Sequence, residues 1–201
     1  MKNNRRDFLK LSGLGAVGMT QNWSSKSSDM AQAPMSVAPK QIFNMSGYAA
    51  PKLDVVRIGF IGLGNRGSGA ITRVNRIDGV QTTAICDIRP EKAQAGAKAL
   101  KKMNIEPVVY TEKEEAWKEM CQRDDIDLIY ICTPWYLHTP MAVYAMKQGK
   151  HVAIEVPAAT TLEECWQLVE TSEKTKKHCM MLENCCYDFF ELLTLNMARQ
   201  G

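Results

Sequence analysis

From Asp54 onward, short runs of apolar residues alternate with longer stretches whose apolar residues recur at helical spacing. Residues 55–61 predict a first strand. Residues 64–78 predict a helix with Ala70, Ile71, Val74 and Ile77 along one face. Residues 80–87 and 107–110 predict two more strands, and the helix between them opens at Pro90, a residue suited to a first helical turn. Residues 126–132 are nearly continuous in apolar side chains, as a parallel strand covered on both faces must be. Residues 151–155 and 178–182 complete six strands, with helices over 139–148 and 162–176. Thr111 and Glu114 have the spacing of a capping box and predict a helix from there toward Arg123. Strand and helix in such alternation bury their apolar faces together as an α/β fold, a doubly wound parallel sheet with right-handed crossovers.

The first strand runs straight into Gly62-Leu63-Gly64-Asn65-Arg66-Gly67, which fits G-x-G-x-x-G. Thirteen glycines in 201 residues produce near-matches by chance, so the match alone is weak. Its context is stronger: a strand precedes it, a helix follows, and Asp87 ends the next strand 20 residues after Gly67. The chemistry explains each position. The first glycine permits a tight turn, the second lets backbone approach a pyrophosphate, and the third lets the helix press on the sheet. Amides at the helix start, with the positive end of the macrodipole, then face the phosphates. Asp87 can accept hydrogen bonds from the adenosine ribose and would repel a 2′-phosphate, which favours NAD over NADP. Arg89 nearby argues the other way, since it could meet that phosphate. A Rossmann NAD-binding domain over residues 54–184 is the expected result. The alternative is a structural glycine turn in an unrelated α/β domain.

A hydrophobic content of 45% with 23% charged residues is ordinary for a globular domain. The net charge of +3 resides in the leader, where Lys2, Arg5, Arg6, Lys10 and Lys26 face only Asp7 and Asp29. The remainder is formally neutral, which gives no support to nucleic-acid binding. Seven cysteines contain no C-x-x-C, and their odd number and irregular spacing point away from a disulfide framework or a zinc site; no metal is expected. Most are expected to pack as small hydrophobes, and Cys185-Cys186 to point different ways at a strand end, with a redox-active pair as the alternative.

Asn4-Arg5-Arg6-Asp7-Phe8-Leu9-Lys10 precedes a short, glycine-rich apolar run over residues 11–19. The pattern resembles a twin-arginine export signal, with cleavage after Ala33 suggested by Ala31-Gln32-Ala33, and implies a periplasmic protein. The apolar run is too short to span a bilayer, so no stable membrane insertion is expected. The alternative is an N-terminal amphipathic helix of a cytoplasmic protein. Residues 34–53, rich in Ala, Pro, Ser and Met without period, read as a linker or an arm reaching over the domain.

Further on, Cys132-Thr133-Pro134-Trp135-Tyr136-Leu137-His138 is followed by Gly149-Lys150-His151-Val152 and by Glu155-Val156-Pro157. These segments resemble the Gfo/Idh/MocA oxidoreductases, which carry C-T-P-N-x-x-H, then G-K-H-V, then E-K-P. Two positions depart from that pattern: Trp135 replaces the asparagine and Val156 the lysine. Together with Asn65-Arg66 and Leu182-Glu183-Asn184, they are similar to glycoside hydrolase family 109, whose known activity is α-N-acetylgalactosaminidase. The resemblance implies NAD contacts at Asn65, Arg66, Asp87, Trp135, Tyr136, Leu137, His138, Glu155, Val156 and Asn184, beside the loop glycines Gly62, Gly64 and Gly67. Read without it, Trp135 could be a rim aromatic, His138 a helix cap and Glu155 a solvated carboxylate.

The E-K-P lysine assists proton transfer as hydride leaves a hydroxyl carbon, and valine cannot. The resemblance thus implies a redox route to glycoside cleavage: transient oxidation at C3 of a terminal α-N-acetylgalactosamine, elimination, and hydration, with NAD regenerated in each cycle. An exported sugar dehydrogenase of the same family is the alternative, and an inert NAD-binding module a third. Residues 188–200 predict a further helix, and residues 185–201 read as the start of a substrate domain that is otherwise largely absent. That domain is where the family's acid–base groups are expected, so no catalytic residue is assigned here and this stretch alone is expected to be inactive. Tyr187 is a candidate pocket residue, or a packing one. The sequence is compatible with a homo-oligomer.

Overall fold

The structure, a computed structural model, describes residues 40–200. The expected leader, its cleavage site and the first part of the linker lie outside the described residues. Six strands form one parallel sheet: β1 (Val56–Ile61), β2 (Val80–Cys86), β3 (Val108–Tyr110), β4 (Leu128–Ile131), β5 (His151–Ile154) and β6 (Cys179–Met181). Their order in space is β3-β2-β1-β4-β5-β6. The chain builds outward from β1 to one edge, returns, and builds from β4 to the other, which is the doubly wound arrangement the alternating pattern predicts.

The alternation of side chains along each strand splits the core into two layers. Ile58 and Phe60 of β1 and Ile85 of β2 join Ala70 and Ile71 of α1 (Asn65–Val74) and Leu100 of α2 (Pro90–Lys101) on one face. Ile61, Ala84 and Cys86 point to the other face, under α3 (Ala116–Cys121), α4 (His138–Lys147) and α5 (Leu162–Thr175). On α2 the buried Ala93, Gly96 and Leu100 follow helical spacing, and Pro90 stands in the first turn as expected.

One helix start is corrected. The capping box expected at Thr111 and Glu114 does not form: Glu112, where the first helical turn would lie, has φ +68°, and α3 begins only at Ala116. The Thr111 hydroxyl is left buried without a partner. The capping box among the described helices is at α5, where the Thr161 hydroxyl accepts from the Glu164 amide at 3.1 Å and the Glu164 carboxylate accepts from the Thr161 amide at 3.2 Å. Cys185 and Cys186 lie in a 3-10 turn (Cys185–Tyr187), not at a strand end, and are exposed together with Cys165, whereas Cys86 and Cys121 pack in the core. After that turn, α6 (Phe189–Gln200) leaves the sheet with Phe189, Phe190 and Met197 exposed. Among the described residues no helix is long and apolar enough to cross a membrane.

From Lys40 the chain runs as an arm against residues near the end of α5 and the start of β6. The buried Glu173 carboxylate, near the end of α5, accepts from the amides of Ile42 at 2.8 Å and Phe43 at 3.4 Å. Tyr48 packs edge-on against Phe43 and also against His178, which stacks on His151, while Lys176 lies over the Phe43 ring. His151 begins β5 and His178 precedes β6, so the arm is seated at the amino ends of the strands.

This seat predicts an acid-side pH dependence in two steps. Burial, then the Lys177 charge, depresses the His151 pKa; its Nδ1 also accepts the His178 amide at 3.0 Å, so that nitrogen is unprotonated. Backbone amides lower Glu173, and Arg57 and Arg123 hold Asp127 and Asp125 below the usual carboxylate range. Each folded-state value lies below its unfolded one, so the stabilisation is whole at neutral pH and is lost as pH falls. The melting temperature is expected to be level above about pH 7 and to slip below about 6.5, the ordinary histidine value. It then falls more steeply below about 4. Thermal melts of His151→Asn across this range should lack the upper step; a step that persists would place its origin elsewhere.

Candidate functional site

In a sheet of this order the loops after β1 and β4 part in opposite directions, leaving a crevice at the carboxyl ends of the strands. The loop Gly62–Gly67 and the segment after Ile131 form its two sides. Gly62 has φ +88°, and a Cβ there would lie 2.6 Å from the Cys132 carbonyl oxygen. A Cβ on Gly67 would lie 1.9 Å from the Gly62 carbonyl oxygen. At Gly64, which caps α1, the nearest atom to such a Cβ is the Arg89 guanidinium, 3.7 Å away, so that face of the loop is open. Two glycines are thus demanded by the protein's own packing, and the third leaves room at the helix start for another molecule. That cradle fits a pyrophosphate.

Asp87 holds this loop. Its carboxylate, 6% exposed, accepts from the Leu63 amide at 2.7 Å and from the Arg89 amide at 2.9 Å. The residue expected to read a ribose is therefore also a strut beneath the loop.

The cleft itself has a volume of about 210 Å³. Arg66 comes from the first turn of α1, Glu155 and Val156 follow β5, and Glu183 and Asn184 follow β6; Trp135, Thr133 and Cys132 supply the wall after β4. The Arg66 guanidinium donates to Glu155 Oε2 through Nε at 3.2 Å and Nη2 at 3.1 Å, and Nη2 also donates to Asn184 Oδ1 at 3.1 Å. Three residues predicted from separate stretches thus meet in one network. Glu155 is 8% exposed and paired with a cation, not a solvated carboxylate. Burial, then the charge of Glu155, pushes the Cys132 thiol up to about 12, so it stays protonated and is no nucleophile at neutral pH.

Trp135 and Tyr136 are exposed on a 3-10 turn (Trp135–Leu137), Trp135 at the cleft and Tyr136 outside its lining, while Leu137 packs against the core. His138 starts α4 but caps it with no side-chain bond; Leu137 holds the cap position. Instead its buried imidazole lies 2.7 Å from the Pro157 carbonyl oxygen through Nδ1 and 2.7 Å from that of Thr133 through Nε2. It stitches the loop after β4 to the loop after β5, where the Val156–Pro157 peptide is cis. Tyr187 is exposed and lies outside the cleft lining. Thr133, Cys132 and Glu183 were not predicted as site residues. Their place just past strand ends in a parallel sheet was the available signal. Among the described residues no cluster of side chains suited to a metal ion occurs.

Known proteins resemble this chain in sequence and in fold. A protein named glycosyl hydrolase family 109 protein 1 from Bacteroides fragilis is 53% identical over 190 residues, 94% of this chain and 41% of its own length. An α-N-acetylgalactosaminidase from the same organism is 58% identical over 156 residues, 77% of this chain and 36% of its own. The chain thus spans about two fifths of the length of the curated relatives it matches. Among solved structures, an NAD-binding protein from Listeria innocua superposes with a TM-score of 0.59 at 26% identity, covering 72% of this chain and 40% of that one. The model of the oxidoreductase family with an NAD-binding Rossmann fold, Gfo/Idh/MocA, matches residues 56–183. That match takes in every strand of the sheet and the loop at its switch point, and the chain belongs to this family.

Proposed function

We propose that this chain is the cofactor-holding part of a glycosidase that removes terminal α-N-acetylgalactosamine from glycans and keeps its NAD through the cycle. The observation that carries the reading is the cleft wall after β5. Val156 lines it where the family's E-K-P has lysine, and among the described residues no lysine lines the cleft at all. In the family's ordinary dehydrogenases that lysine assists removal of the hydroxyl proton as hydride leaves, and this wall offers no ammonium group in its place. The likeness to a named α-N-acetylgalactosaminidase at 58% identity supports the same reading.

The groups that would hold the cofactor are the loop from Gly62 through Asn65 to Gly67, Asp87, Arg66, Trp135, Tyr136, Leu137, Glu155, Val156 and Asn184, with His138 holding two of the loops in register. NAD, when bound, supplies a hydride acceptor in the first half of the cycle and a hydride donor in the second. The chain's own part is electrostatic and steric. Loop amides at the start of α1 meet phosphate charge. Arg66 and Glu155 neutralise each other, so the acidic charge left in the lining is that of Glu183. Protonated Cys132 and apolar Val156 bring no competing nucleophile or acid. Asp87 favours NAD over NADP by charge.

The leader motif supports export by the twin-arginine route to the periplasm, where a recycled cofactor suits a compartment without an NAD pool. Residues 54–184 are the proposed cofactor domain and 185–201 the start of the substrate domain.

The test uses the full-length protein with p-nitrophenyl α-N-acetylgalactosaminide and no added NAD. Nitrophenol release without accumulation of NADH is expected. Stoichiometric NADH with no cleavage would sink the proposal in favour of an exported sugar dehydrogenase.

A further inference from the structure

The Arg66–Glu155 pair in the cleft has a further partner that does not line it. Tyr130 sits on β4 with its ring stacked on buried Phe60, centroids 4.8 Å apart and planes inclined by 23°. Its hydroxyl donates to Glu155 Oε1 at 3.1 Å. Glu155 Oε2, the other oxygen, takes both bonds from Arg66, which in turn donates to Asn184. The Glu155 amide is fixed as well, donating to the Ile131 carbonyl at 3.0 Å.

A carboxylate held at one oxygen only can turn about its terminal bond, which is broad and soft. Held at both, its plane is set, and with it the direction of the guanidinium that forks onto it. Burial first, then the neighbouring Cys132 and Glu155, push the phenol well above its ordinary pKa, so it remains a donor throughout the neutral range. Phenylalanine at this position would keep the ring stack and lose only the donor.

We propose that Tyr130 is a positioning residue for the cofactor, orienting Arg66 through Glu155. This rests on the reading that the cleft takes NAD. The chain of bonds runs from the sheet interior to the segment after β6, so it couples the loop after β1 to the ends of β5 and β6 at one point.

A double-mutant cycle in the full-length protein tests it, with NAD affinity measured by calorimetric titration. Tyr130→Phe is expected to weaken NAD about three- to tenfold, less than the full worth of a hydrogen bond to a charged group, because the phenol acts on the cofactor only through Arg66. In an Arg66→Met background the same change is expected to have no further effect, because nothing is left for the phenol to orient. A merely structural tyrosine would cost the same in both backgrounds, and equal losses, or no loss in the first, would overturn the proposal. If the unmodified protein binds no NAD, the cofactor reading falls and takes this one with it; if it binds NAD but the cycle is additive, only the role of Tyr130 falls.

Discussion

Gly67→Ala is expected to abolish measurable NAD binding by the full-length protein. The new methyl carbon would stand 1.9 Å from the Gly62 carbonyl oxygen, and the obstacle is backbone, not the end of a flexible side chain. Gly62 has nowhere to retreat: its amide donates to the Cys86 carbonyl at 2.8 Å, its φ is +88°, and the Cys132 carbonyl lies against it. The strain must move the start of α1 off the sheet, and the amides that face the phosphates move with it. A displacement costing about 3 kcal/mol or more lowers affinity over about 100-fold. Gly64→Ala is the control, since its nearest neighbour in the protein is 3.7 Å away. That variant should fold with an unchanged melting temperature, and any loss of affinity then reports how closely the cofactor approaches. A Gly67→Ala protein that binds NAD within threefold of the unmodified one would show that the loop does not carry the pyrophosphate.

Asp87→Ala is expected to weaken both NAD and NADP, NAD the more. Read from the sequence alone, this carboxylate is a ribose acceptor whose loss weakens NAD more than NADP. The structure gives it a second task, because it accepts the amides of Leu63 and Arg89. Alanine leaves two N–H groups without their acceptor at a site 6% exposed. Bonds to a charged group contribute about 1.5–3 kcal/mol each, so a lower melting temperature should accompany the binding loss. Asparagine does not repair this, since the two amides meet different oxygens of the carboxylate and its NH2 group, a donor, would face one of them. Equilibrium titrations with the two nucleotides check the prediction. If the unmodified protein holds NADP more tightly than NAD, the ribose role assigned to Asp87 is wrong.

The strands were readable because a parallel sheet covered on both faces needs unbroken apolar runs, and residues 126–132 supply one so plainly that little else fits. The start of α3 was not. Thr111 and Glu114 satisfy the local rule for a cap, but the path off edge strand β3 puts Glu112 in the left-handed region and the rule loses to tertiary geometry. At the site, the types and positions of Arg66, Glu155 and Asn184 were visible as motif members. Their pairing was not, because Arg66 and Glu155 stand 89 residues apart and only the folded sheet brings them to 3.1 Å. Tyr130 looked like one more aromatic in a buried strand, and its hydroxyl acquires a partner only when β5 lies alongside. His138 shows the same limit from the other side: a residue named for ligand contact has both ring nitrogens facing backbone carbonyls. Composition left residues 34–53 as a linker or an arm, and it could not point to Glu173, the acceptor 131 residues from Ile42.

That arm also settles the orientation in which the domain can be handled. It reaches the sheet at the strands' amino ends, on Glu173, His178 and Lys176, whereas the cleft opens at their carboxyl ends. A bead or fusion partner joined through Lys40 would therefore be anchored at the pole facing away from the cleft, leaving its mouth unobstructed.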